Sequence, residues 1–132
     1  MSKILILEPN NQFKEAEFKG NIVPYELLKE SVDGLIECYD FSRELYNAGI
    51  DCFVNEEYLL LDNMKPNLLH VDREDKIKNI VLGNMVFCGY DNEGQSLPLS
   101  DSDIELIKNT LSNNIGMITY KGYPYIVTVY QD

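Results

Sequence analysis

Tryptophan is missing from the 132 residues, histidine occurs once and cysteine three times. A single histidine rules out a multi-histidine metal site, and any serine or cysteine nucleophile that needs an imidazole would have to use His70. Cys38, Cys52 and Cys88 are odd in number and form neither a disulfide framework nor a CxxC zinc or redox motif, a usage that fits a reduced, cytoplasmic setting. Basic residues are scarce too. Lys plus Arg number 11 against 22 Asp plus Glu, a net charge of −11, so neither nucleic acid nor an anionic membrane is expected as a direct partner. No apolar run reaches the roughly 18 residues of a membrane span. The apolar residues between Lys3 and Glu8 are too few for a signal peptide.

Enough apolar material remains for one packed core. Apolar residues make up 45% of the chain and aromatics 11%, too much for a disordered acidic tail, and the length suits a single domain over 1–132. Lys3 to Leu7 (KILIL) reads as a buried strand closed by the turn residues Glu8-Pro9-Asn10-Asn11. Gln12 to Lys19 alternates as a half-exposed strand does, and Gly20-Asn21 stops it. Pro24 suits the first turn of a helix. With Tyr25, Leu27, Leu28 and Val32 as a narrow apolar stripe, it predicts a helix over about 24–32.

Asp33-Gly34 breaks that pattern. A rival reading runs one helix to Tyr46, at a cost of only about 1 kcal/mol for the glycine, but Leu35 to Phe41 (LIECYDF) has strand composition and the break is preferred. A turn at 47–49 and a strand at 50–54 follow, then a segment of open type at 58–71 and a charged connector at 72–78. Asn79 to Tyr90 reads as the clearest strand of the chain, with Gly83 and Gly89 marking a bulge or a close backbone approach. Ser100-Asp101-Ser102-Asp103 before Ile104, Leu106, Ile107 and Leu111 predicts an N-capped helix over 101–112. Two strands around Lys121-Gly122-Tyr123-Pro124 form a C-terminal β-hairpin over 115–130. The predicted class is α+β: a mostly antiparallel sheet, two helices and the hairpin.

Catalytic and metal signals are weak, and neither an enzyme, a cofactor nor a metal is predicted. His70 lies between Leu69 and Val71 with no partner visible by spacing, which favours a structural role. Asp101-x-Asp103-x-Glu105 resembles alternating metal ligands, but a calcium loop needs Gly at its sixth position and Glu at its twelfth, and those places hold Leu106 and Ser112. Acids in a first helical turn are what the helix dipole favours. Gly83 and Gly89 lack the glycine-rich phosphate loop and the helix that would follow it.

Charge distribution says more than any motif. Between Glu26 and Asp62 ten acids face two bases, a local net of −8. Duplex DNA carries one charge per ~1.7 Å, so eight negatives over ~25 Å reach roughly half its linear density, enough to compete for a basic groove. Glu37, Asp40, Glu44, Glu56, Glu57 and Asp62 are the candidate contacts, while acidity serving only solubility is the competing reading. Tyr120, Tyr123 and Tyr125 of the hairpin form a second candidate surface, for a protein partner or a homodimer, against the plainer reading of a sheet packing on its own domain.

Several stretches resemble one family. They are the opening strand ending in Glu8-Pro9, the run Leu28-Lys29-Glu30-Ser31-Val32-Asp33-Gly34-Leu35-Ile36-Glu37, Asn55-Glu56-Glu57, Pro66-Asn67, Leu82-Gly83-Asn84, Val86 to Gly89, and Leu99-Ser100-Asp101. Over roughly residues 3–108 they are similar to the domain of unknown function 3846 family, small proteins encoded mainly in phages, prophages and conjugative elements. This chain has Asp33-Gly34 where the family has Gly-Gly, and Tyr58 where it has Gly. The resemblance implies a mobile-element setting and no activity. Together with the charge it leads to the expectation of a stoichiometric binder of a basic host protein, such as a nucleic-acid-binding restriction or CRISPR effector. The alternatives are a homo-oligomeric module using the tyrosine hairpin, and a small-ligand binder with a pocket near His70 or Cys88.

Overall fold

A computed structural model describes residues 1–132. Two sheets share one core. Sheet A has the order β2-β1-β7-β4-β3, formed by Gln12–Phe18, Ser2–Glu8, Met85–Tyr90, Ile50–Asn55 and Ile36–Cys38, with the short β8 (Ser96–Leu97) paired to β7. Every pairing in it is antiparallel. Its three central strands are covered on both faces, which is why β1 and β7 are continuous apolar runs, whereas the edge strand β2 alternates. Ile4, Ile6, Val86 and Cys88 point to one face and pack under Leu28 and Val32 of α1 (Tyr25–Val32). Leu5, Leu7, Cys52, Met85 and Phe87 point to the other, larger core.

Sheet B closes that larger core. Its order is β6-β5-β10-β9, formed by Ile77–Leu82, Pro66–Val71, Tyr123–Gln131 and Ile115–Tyr120. Leu68, Val81 and Leu82 from this sheet join Ile104, Ile107 and Leu111 of α3 (Asp101–Leu111) and Leu45 of the short α2 (Arg43–Asn47). The hairpin β9–β10 is antiparallel, while β10 pairs with β5 in parallel, so sheet B is mixed. Asn67, fully buried, ties the layers together: its Nδ2 donates to the Leu7 carbonyl of sheet A at 2.7 Å and to the Gly83 carbonyl at 2.8 Å. Asn11 does the same at the edge, donating to Leu111 O and Thr128 Oγ1.

Both expected helices are present. Asp33 caps α1 in the left-handed region (φ 61°), and α3 opens with a capping box in which Ser100 Oγ accepts from Asp103 N while Asp103 Oδ2 accepts from Ser100 N. Gly34 separates α1 from β3 as the break required. A Cβ there would stand 2.7 Å from Asn55 Nδ2, the group that donates to the Val32 and Asp33 carbonyls at the helix end.

Three expectations are corrected, and one segment left open is defined. The strand over 79–90 is two strands in different sheets. Gly83, at φ +82°, and Asn84 turn the chain out of β6 in sheet B and into β7 in sheet A. Gly89 is the close approach, with Leu97 and the Pro98 carbonyl 3.3 Å from where a Cβ would sit. The strand over 35–41 shrinks to β3, Ile36–Cys38. A third helix, α2, begins just beyond it, capped by Ser42 Oγ, which accepts from Leu45 N and also from the Tyr130 hydroxyl. The segment 58–71 resolves into a 3-10 turn at Tyr58–Leu60 and strand β5.

Candidate functional site

Two surfaces stand out, an acidic sheet edge and a cleft beside it. The edge is β3. Asp33 closes α1 just before it, Glu37 lies exposed in the middle of it, and Asp40 follows it. Asn55 Oδ1 accepts from Glu57 N, and Glu56 N donates to the Leu35 carbonyl, which brings the Glu56-Glu57 turn against the start of the strand. Asp33, Glu37, Asp40, Glu56 and Glu57 are all exposed, and none has a cationic partner within ion-pair distance.

Next to them, Asp51 on β4 meets Asp40 and Cys38, the donor atoms of the three lying within 4.8 Å of one another. Partial burial and the neighbouring Asp40 push the Asp51 carboxyl up to about 7. Burial and then Asp40 push the Cys38 thiol up to about 12, so it keeps its proton and donates it to Asp40 Oδ2 at 3.0 Å. Asp40 Oδ1 meanwhile accepts from Cys52 N at 2.9 Å. The trio has the spacing to take a cation only if that cation displaces the thiol proton.

The remaining sequence-predicted contacts scatter. Glu44 stands on α2 and borders the groove between α3 and the end of β10, and Asp62 sits in the loop leading to β5. Tyr120 is half-buried against the main core, Tyr125 is half-buried, and Tyr123 is exposed. Register pairs Tyr120 with Tyr123 and Tyr125 with Ile118, so these three tyrosines share one face of the hairpin. The opposite face pairs Met117, 70% exposed, with Ile126, 42% exposed, and carries the exposed Ile115.

Of the two places where a ligand pocket was expected, the structure has a cleft beside His70, whereas Cys88 is buried under α1; the residues that line the cleft were not visible in the sequence. The cleft has a volume of about 1020 Å³, and its walls come from the loop before α2, from α2, from the β5–β6 turn and from the end of β10. Buried at its side is His70. The imidazole lies between the Tyr39 hydroxyl, 2.7 Å from Nδ1, and Asp132 Oδ1, 2.8 Å from Nε2. A Tyr39 O–H donating to Nδ1 and an Nε2–H donating to Asp132 satisfies every polar atom. Asp132 Oδ2 in turn accepts from Lys78 Nζ at 2.7 Å. Lys78 first and then His70 hold the Asp132 carboxyl down at about 2. The rings of Phe41 and Tyr130 pack edge-on around the imidazole, at 6.0 and 5.7 Å.

Carboxylate, imidazole and hydroxyl in line is the order of a catalytic triad. Here the hydroxyl is a tyrosine that does not line the cleft, and burial raises its pKa. The chain of bonds therefore acts as a tether, fastening the end of β10 to β5 and to the loop after β3. His70 is held in this tether through both ring nitrogens. The partners that hold it, Tyr39 and Asp132, are 31 and 62 residues away, beyond any motif.

Fold and surface together define a small acidic α+β domain built on two packed sheets, with no helix long and apolar enough to cross a membrane. The chain belongs to the family described as Domain of unknown function (DUF3846), whose profile matches residues 1–112. No curated protein and no solved structure matches it. The matched stretch holds all of sheet A, the three helices and the β5–β6 pair. It stops short of β9–β10, the hairpin that completes sheet B and supplies Tyr130 and Asp132 to the cleft.

Proposed function

We propose that this protein acts by stoichiometric binding, presenting the acidic β3 edge of sheet A to a basic partner. The observation that carries the reading is the row of exposed carboxylates without a cationic partner at Asp33, Glu37, Asp40, Glu56 and Glu57 around a strand with one free edge. A strand edge offers backbone donors and acceptors at fixed spacing, and fixed carboxylates beside it attract and orient a cationic surface. The partner class is a nucleic-acid-binding protein of the host, such as a restriction or CRISPR effector in a phage or mobile-element setting, whose basic groove the acids would occupy as a nucleic-acid mimic. Nucleic acid itself and anionic membranes are not partners, because the net charge of −11 repels both.

The test is capture from a natural host, with the bound protein identified, followed by titration with rising salt. Binding should weaken steeply with salt and be competed by duplex DNA. Replacing Glu37, Asp40, Glu56 and Glu57 together with Gln or Asn should abolish it, and retention of full affinity by that variant would sink the proposal.

A second reading has its own support. β9 is a free edge strand with no charged residue, and its exposed Ile115 and Met117 share a face with Ile126 of β10, a combination that invites edge pairing with a second copy. Truncating the hairpin would also remove β10 from sheet B, so Met117→Lys is the cleaner probe. Light scattering should give a dimer for the natural chain and a monomer for the variant, and a monomer in both cases discards this reading.

A further inference from the structure

The chain has only two arginines, Arg43 and Arg73, and both line the same cleft. Neither forms an ion pair, although acids outnumber bases two to one in the molecule. The four acids of the cleft, by contrast, are all engaged. Asp40 accepts from Cys52 N and from the Cys38 thiol. Asp72 Oδ1 accepts from Glu74 N and Lys76 N, Glu74 pairs with Lys76 at 3.6 Å, and Asp132 is held by His70 and Lys78. The cations of the cleft without an ion pair are therefore its two guanidinium forks, which match phosphate and carboxylate oxygens in pairs.

Both forks stand on fixed ground. Arg43 is the first residue of α2, whose cap Ser42 is bonded by the Tyr130 hydroxyl. Arg73 sits in the β5–β6 turn, which Gln131 clamps by donating to Asp72 O and to Asp75 Oδ1. Tyr46 and Tyr130 supply aromatic wall between them, with Tyr46 steadied by stacking on Tyr90 at 5.0 Å. A volume of about 1020 Å³ exceeds what an inorganic anion fills and has room for a nucleotide-sized ligand.

We infer that this cleft binds a small organic phosphate of nucleoside-diphosphate size, Arg43 and Arg73 taking the phosphates and the tyrosine wall taking the ring. The site shares Asp40 with the acidic edge, but the arginines and tyrosines that carry it lie outside that edge, so variants of the arginines test it apart from partner binding.

Calorimetric titration of the full chain with ADP tests it, with inorganic pyrophosphate and adenosine titrated separately. The expected result is saturable ADP binding with a dissociation constant below about 1 mM, and binding of pyrophosphate and of adenosine each at least about tenfold weaker, since each keeps only one part of the contact. Arg73→Gln and Arg43→Gln should each weaken ADP binding about tenfold or more, because a lost bidentate contact removes a charge-assisted pair. Lys14→Gln, on the exposed edge strand β2 and without an ion pair, should leave it unchanged. Arg73 lies exposed in a turn and its variant keeps the fold, so the test survives even if Arg43→Gln unfolds α2. Absence of saturable ADP binding, or equal binding by the natural chain and Arg73→Gln, overturns the proposal. Pyrophosphate bound as tightly as ADP removes the tyrosine wall from it.

Discussion

Replacing Asp51 with Asn should stabilise this protein at about pH 8 and leave it nearly unchanged near pH 4. The Asp51 carboxyl, half-buried on β4 beside Asp40, titrates at about 7 rather than at its ordinary 3.8. Between those values the folded chain binds a proton that the unfolded chain has released, so stability falls as pH rises and the loss is complete above about 7. At about 1.36 kcal/mol per pH unit the full displacement would be worth roughly 4 kcal/mol. Much of the carboxylate still meets water, which screens it, and a realistic figure is about 1–2 kcal/mol.

Asparagine has the same shape, carries no charge at any pH, and can donate its amide to Asp40. The variant should therefore melt roughly 3–8 °C higher than the natural chain at pH 8, with the gap closing as pH falls toward the ordinary aspartate value. Circular dichroism melts of both chains across the pH range read this directly. Carboxylates away from this site are common to both chains, so the difference curve reports the Asp51–Asp40 pair. A variant no more stable than the natural chain at pH 8, or a gap that does not change with pH, would refute the reasoning.

Asn67→Ala should cost about 2–3 kcal/mol in urea unfolding, because it orphans the buried Leu7 and Gly83 carbonyls and unlinks the two sheets; a loss well under 1 kcal/mol would show that the link matters little. Gly34→Ala should cost about 1–3 kcal/mol by pushing Asn55 Nδ2 off the C-terminal carbonyls of α1, and Asn55→Ala made in the same background should then add little, which a double-mutant cycle measures. Asp132→Asn should lower the melting temperature at neutral pH. Its carboxyl is held below the usual range by Lys78 and His70, so the stability it adds is present above about pH 4 and fades as pH falls toward 2. A melting difference that persists unchanged at the acid end contradicts that account.

Much of the fold was legible wherever local chemistry and tertiary need agree. KILIL could only be a strand buried on both faces. Pro24, whose ring fixes a φ suited to helix entry, and the Ser100/Asp103 box, which satisfies the first turn from within the segment, marked the two longer helices. The run 79–90 misled for a definite reason: both halves are equally apolar and equally extended, and nothing in an apolar period tells which sheet a strand joins. Only Gly83 at positive φ marked the crossing, and a glycine within a strand pattern reads equally well as a bulge. α2 escaped because five residues have too little propensity to form a helix alone, and its cap is held by Tyr130, 88 residues away.

The sites divide along the same line. Acidity, its concentration between Glu26 and Asp62, and the lack of catalytic motifs are sums over residue types, which folding cannot alter. Whether those charges face one another is a matter of position. Tertiary structure gathered Asp33, Glu37, Asp40, Glu56 and Glu57 around the β3 edge, sent Glu44 toward α3, and joined Asp51 to Asp40 across two strands. It also set the only two arginines, 30 residues apart in the chain, into one cleft whose acids are already bonded, because the parallel pairing of β10 with β5 carries Tyr130, Gln131 and Asp132 to the loops that hold them.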